Sequence, residues 1–147
     1  MAEGDVFVFE EFALDVASGV HDFSSDEFKV CFLNNDNPPA ASQATPTYSD
    51  FSGDEVSGNG YSAGGQVITV TLSEADGVAT IDYSAEVFSQ SSGGPDDIYH
   101  ALFYNNTAAS KNAIAVMDMG GPVDLDAGDL TVDAHASGLA TITVNNP

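Results

Sequence analysis

Residues 78–87 carry the pattern that most restricts the fold. Ala79, Ile81, Tyr83, Ala85 and Val87 alternate with Val78, Thr80, Asp82, Ser84 and Glu86. Side chains along a strand point to opposite faces in turn, so this stretch predicts a strand with one buried and one wet face. The same period of two recurs along the chain, and a helical period does not. Residues 27–33 put Phe28, Val30 and Phe32 on one face and Lys29, Cys31 and Leu33 on the other. Residues 66–72 (QVITVTL), 98–104, 113–119, 123–126, 130–135 and 139–144 read as further strands. Turn signals separate them, among them Ala75-Asp76-Gly77, Gly120-Gly121-Pro122 and Ser137-Gly138. This spacing predicts an all-β chain, an antiparallel β-sandwich or barrel-like domain.

Two stretches depart from the pattern. The opening DVFVFEEFALDV reads as a strand or a bent pair of strands, with Phe7, Phe9, Phe12 and Leu14 as candidates for burial. It sets off residues 1–18 as an N-terminal strand or arm from a sandwich domain over 19–147. Residues 34–54 hold Pro38, Pro39 and Pro46 with little apolar content between them. Prolines deny ladder hydrogen bonds, so this long loop is expected on the surface, with room for a short helix near DFSGDEV.

Charge decides which partners such a domain excludes. The chain has 23 Asp and Glu against Lys29 and Lys111, a net charge of −21 over 147 residues. Duplex binding depends on Lys and Arg displacing counterions from phosphates, and most membrane faces are anionic, so neither nucleic acid nor membrane is an expected partner. No arginine is present to anchor phosphates or carboxylates. A hydrophobic share of 43% still supports a real core, so the acidity does not signal disorder. Cys31, alone among apolar neighbours in FKVCFL, reads as a small buried side chain. The first residues lack the basic region of a signal peptide, and no apolar run reaches the ~20 residues of a spanning helix; synthesis in a cytoplasm is expected.

Motifs for chemistry are sparse. His21, His100 and His135 match no metal-ligand spacing. No nucleophile elbow is present, and no motif calls for a cofactor, so an enzyme is not expected. Asp124, Asp126 and Asp129 in DLDAGD offer hard oxygen ligands for Ca²⁺ in a tight turn, although the turn lacks the form of an EF-hand loop. The plainer reading is a solvated turn. GNGYSAGG lacks the Gly-Lys-Ser/Thr ending of a phosphate loop and precedes a strand, so its glycines are read as permitting sharp turns or close backbone approach. Asn105-Asn106-Thr107 reads as a hairpin tip.

Taken together, FKVCFLNNDNPP, TYSDFSGDEVSGNGYSAGG, YHALFYNNTAASKNAIAVMDMGG and LDAGDLTVDAHASGLATITV resemble a family of small virion structural proteins of tailed bacteriophages. The matching positions are Phe28, Lys29 and Val30; Glu55, Ser57, Gly58, Gly60, Tyr61, Gly64 and Gly65; Phe103, Tyr104, Asn105 and Thr107; and Asp126, Gly128 and Asp129. The resemblance runs from about residue 20 onward. Cys31 departs from it, and so does the extreme acidity, which looks like a marine or cyanobacterial phage variant. It implies a head decoration (cement) protein on the outer capsid surface, with the phage major capsid protein as partner and a homotrimer as the favoured assembly. A head–tail connector or fibre-base protein is the alternative, and a glycan-binding module using Tyr48, Phe51 and Tyr61 is a third. The expected contact residues are Val6, Phe7, Val8 and Phe9 in the N-terminal segment and Pro38, Pro39, Pro46 and Tyr48 in the loop. On this reading, deleting residues 1–12 is expected to abolish capsid occupancy and leave the domain folded.

Overall fold

The computed structural model describes residues 1–146. Its elements in chain order are β1 (Val6–Val8), α1 (Phe12–Ala17), β2 (Phe28–Leu33), α2 (Tyr48–Phe51), β3 (Gln66–Ile68), β4 (Val70–Ala75), β5 (Val78–Tyr83), β6 (Glu86–Phe88), β7 (Ile98–Asn105), β8 (Ala113–Val123), β9 (Leu130–Val132) and β10 (Ala140–Thr143). A five-stranded sheet runs in the order β1-β8-β7-β2-β3, a three-stranded sheet in the order β10-β5-β4, and β6 pairs with β9 in a ribbon. Every ladder is antiparallel. The fold is the all-β, sandwich-like domain that the alternation predicts.

Strand β2 shows how the period of two builds two cores. Phe28, Val30 and Phe32 point into the sandwich, where they meet Phe103 of β7, Ile81 and Tyr83 of β5, Phe88 of β6 and Val132 of β9. Cys31 and Leu33 point the other way, into a second buried cluster with Phe9, Phe51, Leu102, Tyr104 and Val116. The large sheet is therefore covered on both faces. The proline-bearing segment supplies part of the second cover: α2 seats Phe51 at 1% exposure, and Pro46 O accepts the Ala113 N–H at 2.8 Å. A loop expected on the surface is partly a roof, because Cys31 and Leu33 on the odd-numbered face of β2 also need cover.

Four further expectations are corrected. The second half of the opening stretch is helix α1, not strand. Phe12, Asp15 and Val16 recur at helical spacing on its inner side, and Leu14, a candidate for burial, is 60% exposed. QVITVTL is two strands. It leaves the large sheet after Ile68 and enters the small one at Val70, so one apolar run serves both layers. The alternation of 78–87 divides likewise into β5 and β6. Conversely, Gly120-Gly121-Pro122 does not end a strand, and 123–126 is not a separate one. Strand β8 continues to Val123 opposite Ile98, with a register shift in the ladder. Gly121 makes this possible, since a Cβ there would lie 2.3 Å from Ile98 O.

Residues 1–18 are tied into the domain. Strand β1 pairs with β8 through Val6↔Met117, Phe7↔Val116 and Val8↔Ala115, and Phe9 and Phe12 are core residues. Deleting residues 1–12 would remove an edge strand and two buried rings, so the deletion is now expected to cost stability as well as any contact it makes. At the Asp76-Gly77 turn the positive φ values of 52° and 79° close the β4–β5 hairpin as the sequence signal requires.

Candidate functional site

The glycine–tyrosine signature is built around one carboxylate. Glu55 Oε1 accepts hydrogen bonds from the Tyr61 hydroxyl and the Gly64 N–H, both at 2.7 Å, and Oε2 accepts the Tyr48 hydroxyl at 2.5 Å. The Tyr61 oxygen in turn accepts the Phe32 N–H at 2.9 Å, and the Tyr104 hydroxyl donates to Gly64 O at 2.7 Å. Lys111 Nζ lies 5.6 Å above the Tyr48 ring, and Tyr48 stacks on Tyr104. Burial first, then the neighbouring Cys31 and Glu55, hold the Tyr61 hydroxyl far above its ordinary pKa, so it remains a donor at any physiological pH. Burial raises Tyr48 in the same direction, reinforced by its bond to Glu55.

Two glycines let this loop press onto its neighbours, one onto the sheet and one onto a second loop. Gly65 sits at φ +69°, and a Cβ there would lie 1.8 Å from Val30 O. Gly58 passes against the 93–95 loop, where a Cβ would meet Pro95 N at 2.5 Å. These close approaches are of backbone to backbone, and both Glu55 oxygens are engaged by hydrogen bonds. Cys31 beside it is 0% exposed, and burial pushes its thiol well up, so it is an inert core residue. The aromatics weighed as a glycan platform belong to the same construction. Phe51 is core, and Tyr48 and Tyr61 direct their hydroxyls at Glu55.

The acidic turn also works internally. Asp126 Oδ1 accepts the Gly93 N–H at 2.9 Å, and Asp129 Oδ1 accepts the Gln90 N–H at 2.7 Å, which pins the 89–94 loop beside the β6–β9 ribbon; Asp124 is exposed. Among the described residues, no group of three His, Cys, Asp or Glu is placed to hold a metal ion. The histidines stay apart. His100 Nε2 lies 3.1 Å from Asn35 Oδ1, and exposed His135 accepts the Ser137 N–H at 3.2 Å through Nδ1.

His21 belongs to a buried polar knot that sequence reasoning missed. Asn105, 0% exposed, donates to Asp26 Oδ2 at 2.7 Å and to Val20 O at 3.2 Å, and lies 3.2 Å from His21 Nδ1. His21 Nε2 faces Asp15 Oδ2 of α1 at 3.7 Å, inside a ring of Phe12, Phe23 and Phe28. Asn105 Oδ1 accepts the N–H groups of Thr107 and Ala108, which makes Asn105 the brace of the expected hairpin tip. An isolated buried polar residue carries no periodic signal, so only the Asn-Asn-Thr turn hinted at it.

Of the residues expected at contact surfaces, Pro38 is exposed and Val6, Phe7, Val8, Pro39 and Tyr48 are partly so, whereas Phe9 and Pro46 are buried. Burial leaves these two side chains little surface to offer a partner, and Phe9 is part of the second core cluster. The two sheets end at β1 and β3 and at β10 and β4, and two of these edge strands lie close together. Each of β1 and β10 has one ladder neighbour, and both line a cleft of about 590 Å³. In comparison with known proteins, the chain matches no family model, no curated protein and no solved structure.

Proposed function

We propose that this chain is a capsid decoration (cement) protein of a tailed bacteriophage, bound to the outer face of the head and stabilising the lattice of the major capsid protein. The observation that carries the reading is the excess of 23 carboxylates over two lysines on a β-sandwich, most of them at its surface. Packaged DNA repels such a subunit from the lumen, so the favoured position is outside. The resemblance of the ordered run of motifs to that of phage virion proteins, read from the sequence, supports the same reading. The residues that carry that run here, Glu55 with Gly58 to Gly65, hold the loop against its neighbours.

The mechanism asked of such a protein is thermodynamic. A subunit that binds the assembled, expanded lattice and not free capsomers shifts the equilibrium toward the shell by mass action. Repetition over the lattice multiplies weak contacts. A homotrimer, made in the host cytoplasm and added to the virion surface, is the assembly we favour. The test is to strip purified virions with mild chaotrope. The polypeptide should leave in hundreds of copies per particle (a connector is present in about a dozen, at family level), and the stripped heads should break more readily on warming. Recovery of the chain only from the particle interior, or heads unaffected by its loss, sinks the proposal.

A further inference from the structure

We infer that the cleft between β1 and β10 is a strand-accepting seam, and that it takes an extended, basic segment of the protein partner. The large sheet ends at β1 and the small sheet ends at β10, and both ends open on the same cleft. Its floor is apolar: Val6 and Val8 from β1, Phe12 from α1, and Leu139 and Ala140 leading into β10. The backbone there has groups to offer. Asp118 N donates to Asp5 O and Phe9 N donates to Ile114 O, so the odd-numbered residues of this segment face β8. By the alternation of an antiparallel ladder, the N–H and C=O groups of Val6 and Val8 face the free side. An open edge with free donors and acceptors above apolar floor residues is the arrangement that accepts an added strand.

Charge selects the occupant. Among the residues that line the cleft, Asp5 is the only carboxylate and neither Lys nor Arg is present, with Met1 and His135 also on its wall; Glu3, Glu10, Glu11 and Asp133 lie nearby in sequence and belong to the −21 surface around it. A second copy of this chain brings −21 of its own to that face, whereas a strand with apolar side chains on alternate positions and lysine or arginine at its ends matches both floor and rim. The inference deepens the decoration reading, and rests on it only for the partner being the capsid protein; the seam itself is testable on the isolated chain.

The probes are two labelled synthetic peptides of alternating valine and threonine, one with lysines at both ends and the other with glutamates. The lysine-ended peptide should bind saturably and slow amide exchange at Val6, Val8 and residues 139–143, with the glutamate-ended one weaker by about tenfold or more. Val6→Pro removes a donor on the free side without a ladder bond, and should abolish binding. Should that variant unfold, Glu3→Lys with Asp5→Lys, both exposed, should reverse the preference between the peptides. Neither peptide binding, protection confined to other edges, or self-association that protects 139–143 without peptide would each overturn the inference. On virions, a folded Val6→Pro chain that still occupies heads refutes the seam and spares the decoration reading. A wild-type chain that binds peptide yet is absent from the outer surface does the reverse.

Discussion

At the scale of single residues, stability rests on polar groups that have no spare partner. Tyr61→Phe removes the oxygen that accepts the Phe32 N–H and the donor to Glu55. Leaving that buried amide unsatisfied should cost about 1–3 kcal/mol, read as a lower urea midpoint with an unchanged slope. His21 gives a pH signature. Burial lowers its pKa below 6.5, and the opposing attractions of Asp15 and Asp26 are smaller. The unfolded chain therefore binds a proton more readily than the folded one, so stability falls as pH drops through about 6.5 and below. His100 is shifted in the same direction by burial. A His21→Gln chain should lose part of the decline in melting temperature between pH 7.5 and 5.5; an identical decline would show that the knot does not titrate.

At the scale of elements, the segment over residues 34–57 is a structural lid, and its short helix has an identifiable anchor. Asp50 Oδ2 accepts the Thr47 N–H at 2.8 Å and the Thr47 hydroxyl at 2.8 Å, which fixes the start of α2 and so the placement of Phe51. Asp50→Ala should destabilise the domain by about 1 kcal/mol, with amide exchange rising first in residues 47–56. A global loss of protection with no local excess would argue against the lid acting as a unit. The period of two made β2, β5 and β7 legible. It did not show where an apolar run changes sheets, because leaving one ladder at Ile68 and joining another at Val70 alters hydrogen-bond partners and not composition. Helix α1 was hidden for a related reason: its six residues are too few for a helical period to separate from an alternating one.

At the scale of the whole molecule, 21 uncompensated negative charges on one small domain make salt a stabilising agent. The screening length falls from about 30 Å at 0.01 M to about 3 Å at 1 M, so self-repulsion should fade across that range. The melting temperature should rise monotonically with NaCl, and a flat profile would mean that the carboxylates are too far apart to interact.

The sequence alone determined the strand-dominated class, the acidic exterior, the burial of Cys31 and the Asp76-Gly77 hairpin, because each follows from local period, charge count or backbone preference. Tertiary structure alone decided that Glu55 gathers two tyrosines, that Asn105 meets His21 across 84 positions of chain, and that β1 and β10 leave one seam open. Those facts depend on which distant strands become neighbours. Neighbourhood is set by how two sheets and a loop close over a shared core, and no window of adjacent residues records it.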